Sequence, residues 1–197
     1  MVTTAIALTI LGLLAGSFLG LVSVRLPAGG GIVAGRSRCD SCGRSLGPLD
    51  LIPLLSFALS RGGCRTCAAP IPRRYPMMEA GAALIGLWAG LSQPALLPAA
   101  LTALLGWQLL LIAVVDAEHF WLPDALTLPL AATGLAAVAL LSPHMLVASA
   151  IGAAAGLSVV AALWLVRRRM TAPDRLPFGV FLCIGLWMVW VFGPFGG

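Results

Sequence analysis

Long apolar runs alternate with short polar interruptions along this chain. The first run, Thr4 to Val24, is about twenty residues, long enough as a helix to cross a bilayer core of roughly 30 Å. It reads as a membrane span rather than a cleaved signal peptide, because no basic residue precedes it and Arg25 follows it, the reverse of the signal-peptide charge order. A polar segment from Arg25 to Pro76 comes next, although Leu51 to Leu59 within it is apolar enough to lie on a membrane surface. Further spans are expected over 77–91, 95–115, 123–141, 145–166 and 176–192, joined by short turns around Ser92-Gln93-Pro94 and Ser142-Pro143-His144. The pattern predicts an all-α polytopic membrane protein with about six transmembrane helices. Three parts follow: a first transmembrane helix (1–24), a small polar domain (25–76) and a transmembrane helical domain (77–197).

Composition agrees, with 60% apolar and only 10% charged residues and a mean hydropathy of +1.02, far from the average soluble domain. The net charge of +5 and the isoelectric point near 9.5 resemble a nucleic-acid binder at first sight. The distribution argues otherwise. All 12 basic residues are arginines, eight of them within 25–76 and the other four at Arg167, Arg168, Arg169 and Arg175, beside apolar runs. With the N-terminus outside, segments 25–76, 116–122 and 167–175 face the cytoplasm, and every arginine is then inside, as the positive-inside bias requires. No nucleic-acid partner is expected; the lipid bilayer is.

Chemistry enters with two Cys-x-x-Cys knuckles, Cys39-Asp40-Ser41-Cys42 and Cys64-Arg65-Thr66-Cys67. Four thiolates at this spacing match a tetrahedral zinc site, and a cytoplasmic location favours thiolate over disulfide. Four protein ligands leave no open position for water, so the expected zinc is structural. Gly43 follows the first pair where a knuckle often needs positive φ, whereas Ala68 follows the second. The alternative is four unligated buried cysteines. Cys183, inside the last apolar run, reads as a small packing residue.

Ionisable residues gather at one membrane edge, in Asp116, Glu118, His119 and Asp124. Glu118 and His119 read as the polar residues of a short link over 117–122. Asp116 ends an apolar run, where partial desolvation raises a carboxyl pKa and prepares it for acid–base work. Asp124 follows Pro123 and suits the N-terminal turn of a helix.

Taken in order, Gly16 to Pro27, the two knuckles, Pro72 to Glu79, Asp116 to Asp124 with Leu126 to Pro129, and Leu176 to Leu182 make the chain resemble the type IV prepilin peptidases almost end to end. The resemblance implies a polytopic aspartic endopeptidase of the bacterial inner membrane. Such an enzyme cuts the leader from prepilins or pseudopilins at the cytoplasmic face and N-methylates the new N-terminus with S-adenosylmethionine. It further implies that Asp116 is the first catalytic aspartate, and that Glu79 and the knuckle segment belong to the methyl-transfer region. Gly20 stands where the family usually has Asn.

One departure bears on catalysis. The family's second aspartate lies in a Gly-x-Gly-Asp motif, which occurs nowhere in this sequence, and the six spans are two fewer than the family's usual eight, as though the hairpin carrying that motif were missing. Asp174, before the last apolar run, is the remaining aspartate in a comparable place; it also suits a helix N-terminus or a pair with Arg175. Aspartic proteolysis needs two carboxyls sharing a proton. Either Asp174 supplies the second, or two copies in a homodimer complement each other, or the chain is a noncatalytic membrane adaptor that binds pilin leaders or secretion components.

Overall fold

Small residues, rather than large ones, fill the centre of this helical bundle. The computed structural model describes residues 1–30, 37–120 and 122–145, with positions 147 and 186. Beyond those positions the expected spans 145–166 and 176–192 lie outside the described residues, as do Asp174 and Cys183. Among the described residues, α1 (Val2–Arg25) leads into the polar domain, which holds a 3-10 turn (Pro48–Asp50) and a short helix α2 (Leu55–Leu59). Helices α3 (Arg74–Ser92), α4 (Leu96–His119) and α5 (Asp124–Leu141) follow, then a 3-10 turn at Pro143–Met145.

The sequence of α1 divides it into two faces. Ala5, Leu8, Gly12, Gly16 and Gly20 are buried, while Ile6, Ile10, Leu14 and Phe18 are 54–56% exposed. Large apolar side chains outside and glycines inside are the polarity of a helix that faces lipid, where small residues let neighbouring backbones approach. The partner is α3, antiparallel to α1. A Cβ built on Gly12 would meet the Ala82 carbonyl oxygen at 2.4 Å, on Gly16 the Glu79 Cα at 2.6 Å, on Gly86 the Leu8 carbonyl oxygen at 2.1 Å and on Gly90 the Ala5 Cα at 2.3 Å. Each approach is closer than any side chain permits.

Helix α4 closes the bundle over this pair. Its Ala99, Ala103 and Trp107 join Leu8, Ala82 and Ala89 in one apolar cluster, and the buried Trp107 Nε1 donates 2.8 Å to the Ala82 carbonyl oxygen. Val22, Met78, Leu111 and Val115 form a second cluster nearer the polar domain. Helix α5 rests on α4 through Ala137 against Leu105 and is tied to it by the Thr133 hydroxyl, which donates 2.6 Å to Gln108 Oε1.

Among the described residues, three helices are long and apolar enough to cross a membrane: α1, α4 and α5. They coincide with the first, third and fourth expected spans. The second expected span forms the bulk of α3, which begins earlier, at Arg74, and is not among the three, since Arg74, Tyr75, Pro76 and Glu79 occupy its opening turns. The link expected over 117–122 also differs. Helix α4 continues through Asp116 and Glu118 to His119 and stops at Phe120, whose φ of 51° is left-handed and whose amide donates 2.8 Å to the Asp116 carbonyl oxygen. A left-handed cap ends this helix; the first acidic residue does not.

The glycine seam makes a paired prediction. Gly86→Ala should destabilise the protein by about 1–3 kcal/mol through overpacking. Gly134→Ala, on α5 where an added Cβ meets nothing within 4 Å, should stabilise by up to about 1 kcal/mol from helix propensity. Thermal unfolding of the two variants in the same detergent checks the opposite signs.

Candidate functional site

The two knuckles fold as near copies of each other. Cys39 N donates 2.9 Å to the Arg44 carbonyl oxygen and Cys64 N donates 2.8 Å to that of Ala69; Gly43 N and Ala68 N each donate 2.9 Å back to the carbonyl of the first cysteine. Isolated bridges Arg38–Ser45 and Gly63–Pro70 close the two loops at equivalent places. The left-handed residue is Gly43 (φ 69°) in one and Ala68 (φ 56°) in the other. Ala68 therefore adopts the conformation that glycine takes freely, at the cost of its Cβ.

This pairing brings the four sulfurs together, all within 4.8 Å of one another. Cys39 and Cys67 are 3.8 Å apart, and Cys42 and Cys64 are 4.0 Å apart. A zinc–sulfur bond of about 2.3 Å gives a tetrahedron with an edge of about 3.8 Å, so the tetrathiolate set fits a structural metal ion. The loops are already electrostatically prepared. Backbone amides of Cys42 and Ser41 hold the Cys39 thiol below its ordinary value, and those of Cys67 and Thr66 pull Cys64 down to about 6. At Cys67 the Ala69 amide also acts downward, but desolvation and the neighbouring sulfurs of Cys42, Cys64 and Cys39 outweigh it, and its pKa is pushed up to about 11.

A second tie joins the loops without any metal. Asp50 Oδ2 pairs with Arg44 Nη2 and accepts from Gly47 N at 3.0 Å, and Asp50 Oδ1 faces Arg65 Nε at 3.3 Å. Arg44 Nη1 also donates 3.2 Å to Thr66 Oγ1. One carboxylate thus holds an arginine from each knuckle.

Glu79 fastens this domain to the bundle. It is buried on α3, opposite Gly16, and its Oε2 accepts 2.7 Å from the backbone N–H of Leu54. Leu54 has φ 57° and ψ −44°, and Leu55 N donates 2.6 Å to the Pro53 carbonyl oxygen. These are the marks of the rare, strained γ-turn with positive φ, which turns the Leu54 amide toward the carboxylate. A cavity of about 330 Å³ lies between the knuckles and the ends of α1 and α3, with Glu79, Arg25, Tyr75 and Phe57 in its lining.

Asp116 continues the buried stripe of α4 that includes Leu105, Leu109 and Ile112 and is only 4% exposed. Two residues on, Glu118 Oε2 receives Arg74 Nη2 at 2.6 Å, with His119 Nε2 at 3.8 Å from the same oxygen. Arg74 opens α3 and Glu118 sits in the last turn of α4. Each stands at the helix end that its own charge disfavours, so what holds them there is the pair between the helices. Asp124 is exposed in the first turn of α5 behind Pro123, as a helix-opening acid should be.

Residues 10–92 match the family model described as the bacterial peptidase A24 N-terminal domain, and residues 103–196 match the type IV leader peptidase family. The chain belongs to the type IV leader peptidase family. Among its relatives is the prepilin leader peptidase/N-methyltransferase of Pseudomonas aeruginosa, 32% identical over 94% of this chain and 73% of the relative. The protein of the same name from Klebsiella pneumoniae is 32% identical over 91% and 82%. That from Aeromonas hydrophila is 34% identical over 79% of this chain, and the match spans 54% of the relative's length. No solved structure matches the chain.

Within this chain the sequence pattern singles out the four cysteines, which the fold brings together, and it also singles out Asp116 and Glu79, but it does not point to Asp50, Leu54 or the Arg74–Glu118 pair. Asp50 carried a signal, being one of two acids in a segment with eight arginines.

The thiol environments give a test. A thiol held near 6 is mostly thiolate at neutral pH, and one near 11 is not. In metal-depleted protein at about pH 7, Cys64 should be alkylated before Cys67 although Cys67 is the more exposed. Mass spectrometry of a timed iodoacetamide reaction reads the order. The depressed Cys64 also gives the linkage sign: its contribution is present above its unfolded value near 9 and is lost as pH falls through about 6.

Proposed function

We propose that the chain is a membrane aspartic endopeptidase that removes the leader of type IV prepilins or pseudopilins at the cytoplasmic face and N-methylates the new N-terminus. The observation that carries this reading is Asp116, a carboxyl buried at the end of α4 within the segment matched to the leader peptidase family. In this reading the six spans orient segments 25–76, 116–122 and 167–175 to the cytoplasm of a bacterial inner membrane.

Hydrolysis requires one ionised and one protonated carboxyl. Asp116 takes one role and Asp174 the other. The ionised group accepts a proton from water as its oxygen attacks the scissile carbonyl, and the protonated group donates a hydrogen bond to that carbonyl oxygen. Protonation of the amide nitrogen then releases the pilin amine and the leader carboxylate. The tetrathiolate site of Cys39, Cys42, Cys64 and Cys67 holds zinc and fixes the domain that covers the cavity. Methyl transfer is assigned to this cavity, which Glu79, Arg25 and Tyr75 line: Glu79 would offer a carboxylate to the incoming amine, and Arg25 and the ring of Tyr75 would hold the carboxylate and adenine of S-adenosylmethionine, which would supply the methyl group.

Three variants test the assignments in prepilin-cleavage assays on purified protein. Asp116→Asn, nearly isosteric, should lower cleavage by roughly 10²–10⁴-fold, the size of a lost general acid–base contribution. Asp174→Asn should lower it equally if Asp174 is the second carboxyl. Retained cleavage in that variant transfers the role to Asp124, Glu118 or the Asp116 of a second copy, and a wild type that binds prepilin without cutting it is an adaptor.

The zinc assignment has its own outcome. Wild type purified without chelator should carry one zinc per chain by elemental analysis, and Cys39→Ser should lose it together with order in the knuckle domain, since metal binding and folding are coupled. A metal-free wild type overturns it.

A further inference from the structure

The polar domain carries an apolar face of which only Leu51, at the cavity lining, borders the site used in the zinc, peptidase and methyl-transfer reading. Leu49, Leu51, Ile52, Leu55 and Leu59 are 65, 45, 38, 51 and 68% exposed. Exposed leucines scattered singly need no explanation, but five within eleven residues form a patch. Leu55 and Leu59 lie one turn apart on α2. Phe57, between them in sequence, turns the other way and packs toward Gly62, where an added Cβ would meet its Cζ at 3.1 Å. The short helix thus has one side committed to the domain and another left uncovered.

Two observations identify what covers it. The first is height. The Leu54–Glu79 hydrogen bond pins this segment beside the second turn of α3, five residues past the helix start at Arg74, or about 8 Å along the axis at 1.5 Å per residue. The segment therefore sits near the Arg74 end of the bundle, at a level on α1 between Gly16, which faces Glu79, and Arg25 at the helix end. The second is charge. The one acid of the segment, Asp50, is paired with Arg44 and Arg65, no other acidic residue occurs from 51 through 78, and the following Arg61 and Arg73 are exposed. Apolar side chains bracketed by arginines are the composition of an element lying in the interface of a leaflet with anionic headgroups.

We propose that 49–59 is a membrane foot: its leucines enter the headgroup–acyl boundary of the same bilayer that α1, α4 and α5 cross, and Arg61 and Arg73 contact anionic lipid. The foot rests on the membrane reading of those helices and is independent of Asp116 and of cleavage. It holds the knuckle domain against the membrane, so that the cavity opens along the bilayer surface.

The test uses the full chain in vesicles containing phosphatidylglycerol. A benzophenone amino acid is placed at Leu55, at Leu59 or, as a control on the knuckle side, at Thr66. Leu49, also strongly exposed, is the replacement site if either leucine variant fails to retain wild-type metal content. Irradiation should give phosphatidylglycerol adducts at 55 and 59 and none at 66, read by mass spectrometry. Crosslinks from 55 and 59 to protein alone, whether this chain or a second copy, overturn the proposal, as do equal lipid adducts at all three sites or none at any.

Discussion

The tight meeting of α1 and α3 through glycine fixes where the polar groups at this end of the bundle can be. Lipid offers no hydrophobic drive for two apolar helices to associate, so α1 and α3 hold together by surface fit. The fit comes from a register that sets Ala5 against Gly90, Leu8 against Gly86, Gly12 against Ala82 and Gly16 against Glu79. Sliding either helix by one residue would put side chains into backbone all along the seam. Because that register is rigid, the carboxylate of Glu79 has a defined depth, and the domain hanging from it has a defined height.

Glu79 is consequently a structural joint as much as a chemical group. A buried carboxylate needs hydrogen bonds, and one of its donors is a backbone amide that only a strained γ-turn presents. Strain of this kind persists where surrounding contacts over-determine it, and here the knuckles supply them. Two pseudo-equivalent loops, an Asp50 clip with an arginine from each, and four converging sulfurs make the domain stiff enough to hold Leu54 in an unfavourable conformation. At the same end of the bundle, Arg74 and Glu118 join α3 to α4 two residues past Asp116. The segment matched to the N-terminal domain family and the one matched to the peptidase family are thereby linked.

What the sequence made legible depended on range. Four cysteines in two local spacings announce a metal site without knowledge of the fold, and apolar runs announce α1, α4 and α5. Helix ends were less legible. Asp116 reads as a stop because charge usually leaves the membrane there, yet the helix continues one turn further until Phe120 turns left-handed, a choice made by backbone geometry and not by polarity. The Leu54–Glu79 bond spans 25 residues and has no sequence pattern at all, since any residue supplies the same amide. The glycine seam was visible in principle, as Gly12, Gly16 and Gly20 at four-residue spacing on α1. Its partner positions on α3, Ala82, Gly86 and Gly90, become meaningful only once the two helices are known to be antiparallel neighbours.

The same seam sets a problem of timing during synthesis. Helix α1 leaves the ribosome with its glycine face complete, but the surface it fits lies beyond residue 74. A chain elongating at about 5–20 residues per second takes roughly 2–10 s to cross that interval. Throughout it α1 stands in the lipid with its groove open to any other small-residue helix nearby. The intervening segment also carries the four cysteines able to hold a metal ion, so capture of such an ion would shorten the tether between the two helices before the second has fully emerged. Metal supply would then bear on how faithfully α1 finds its own partner, at a membrane seam that the ion itself would never touch.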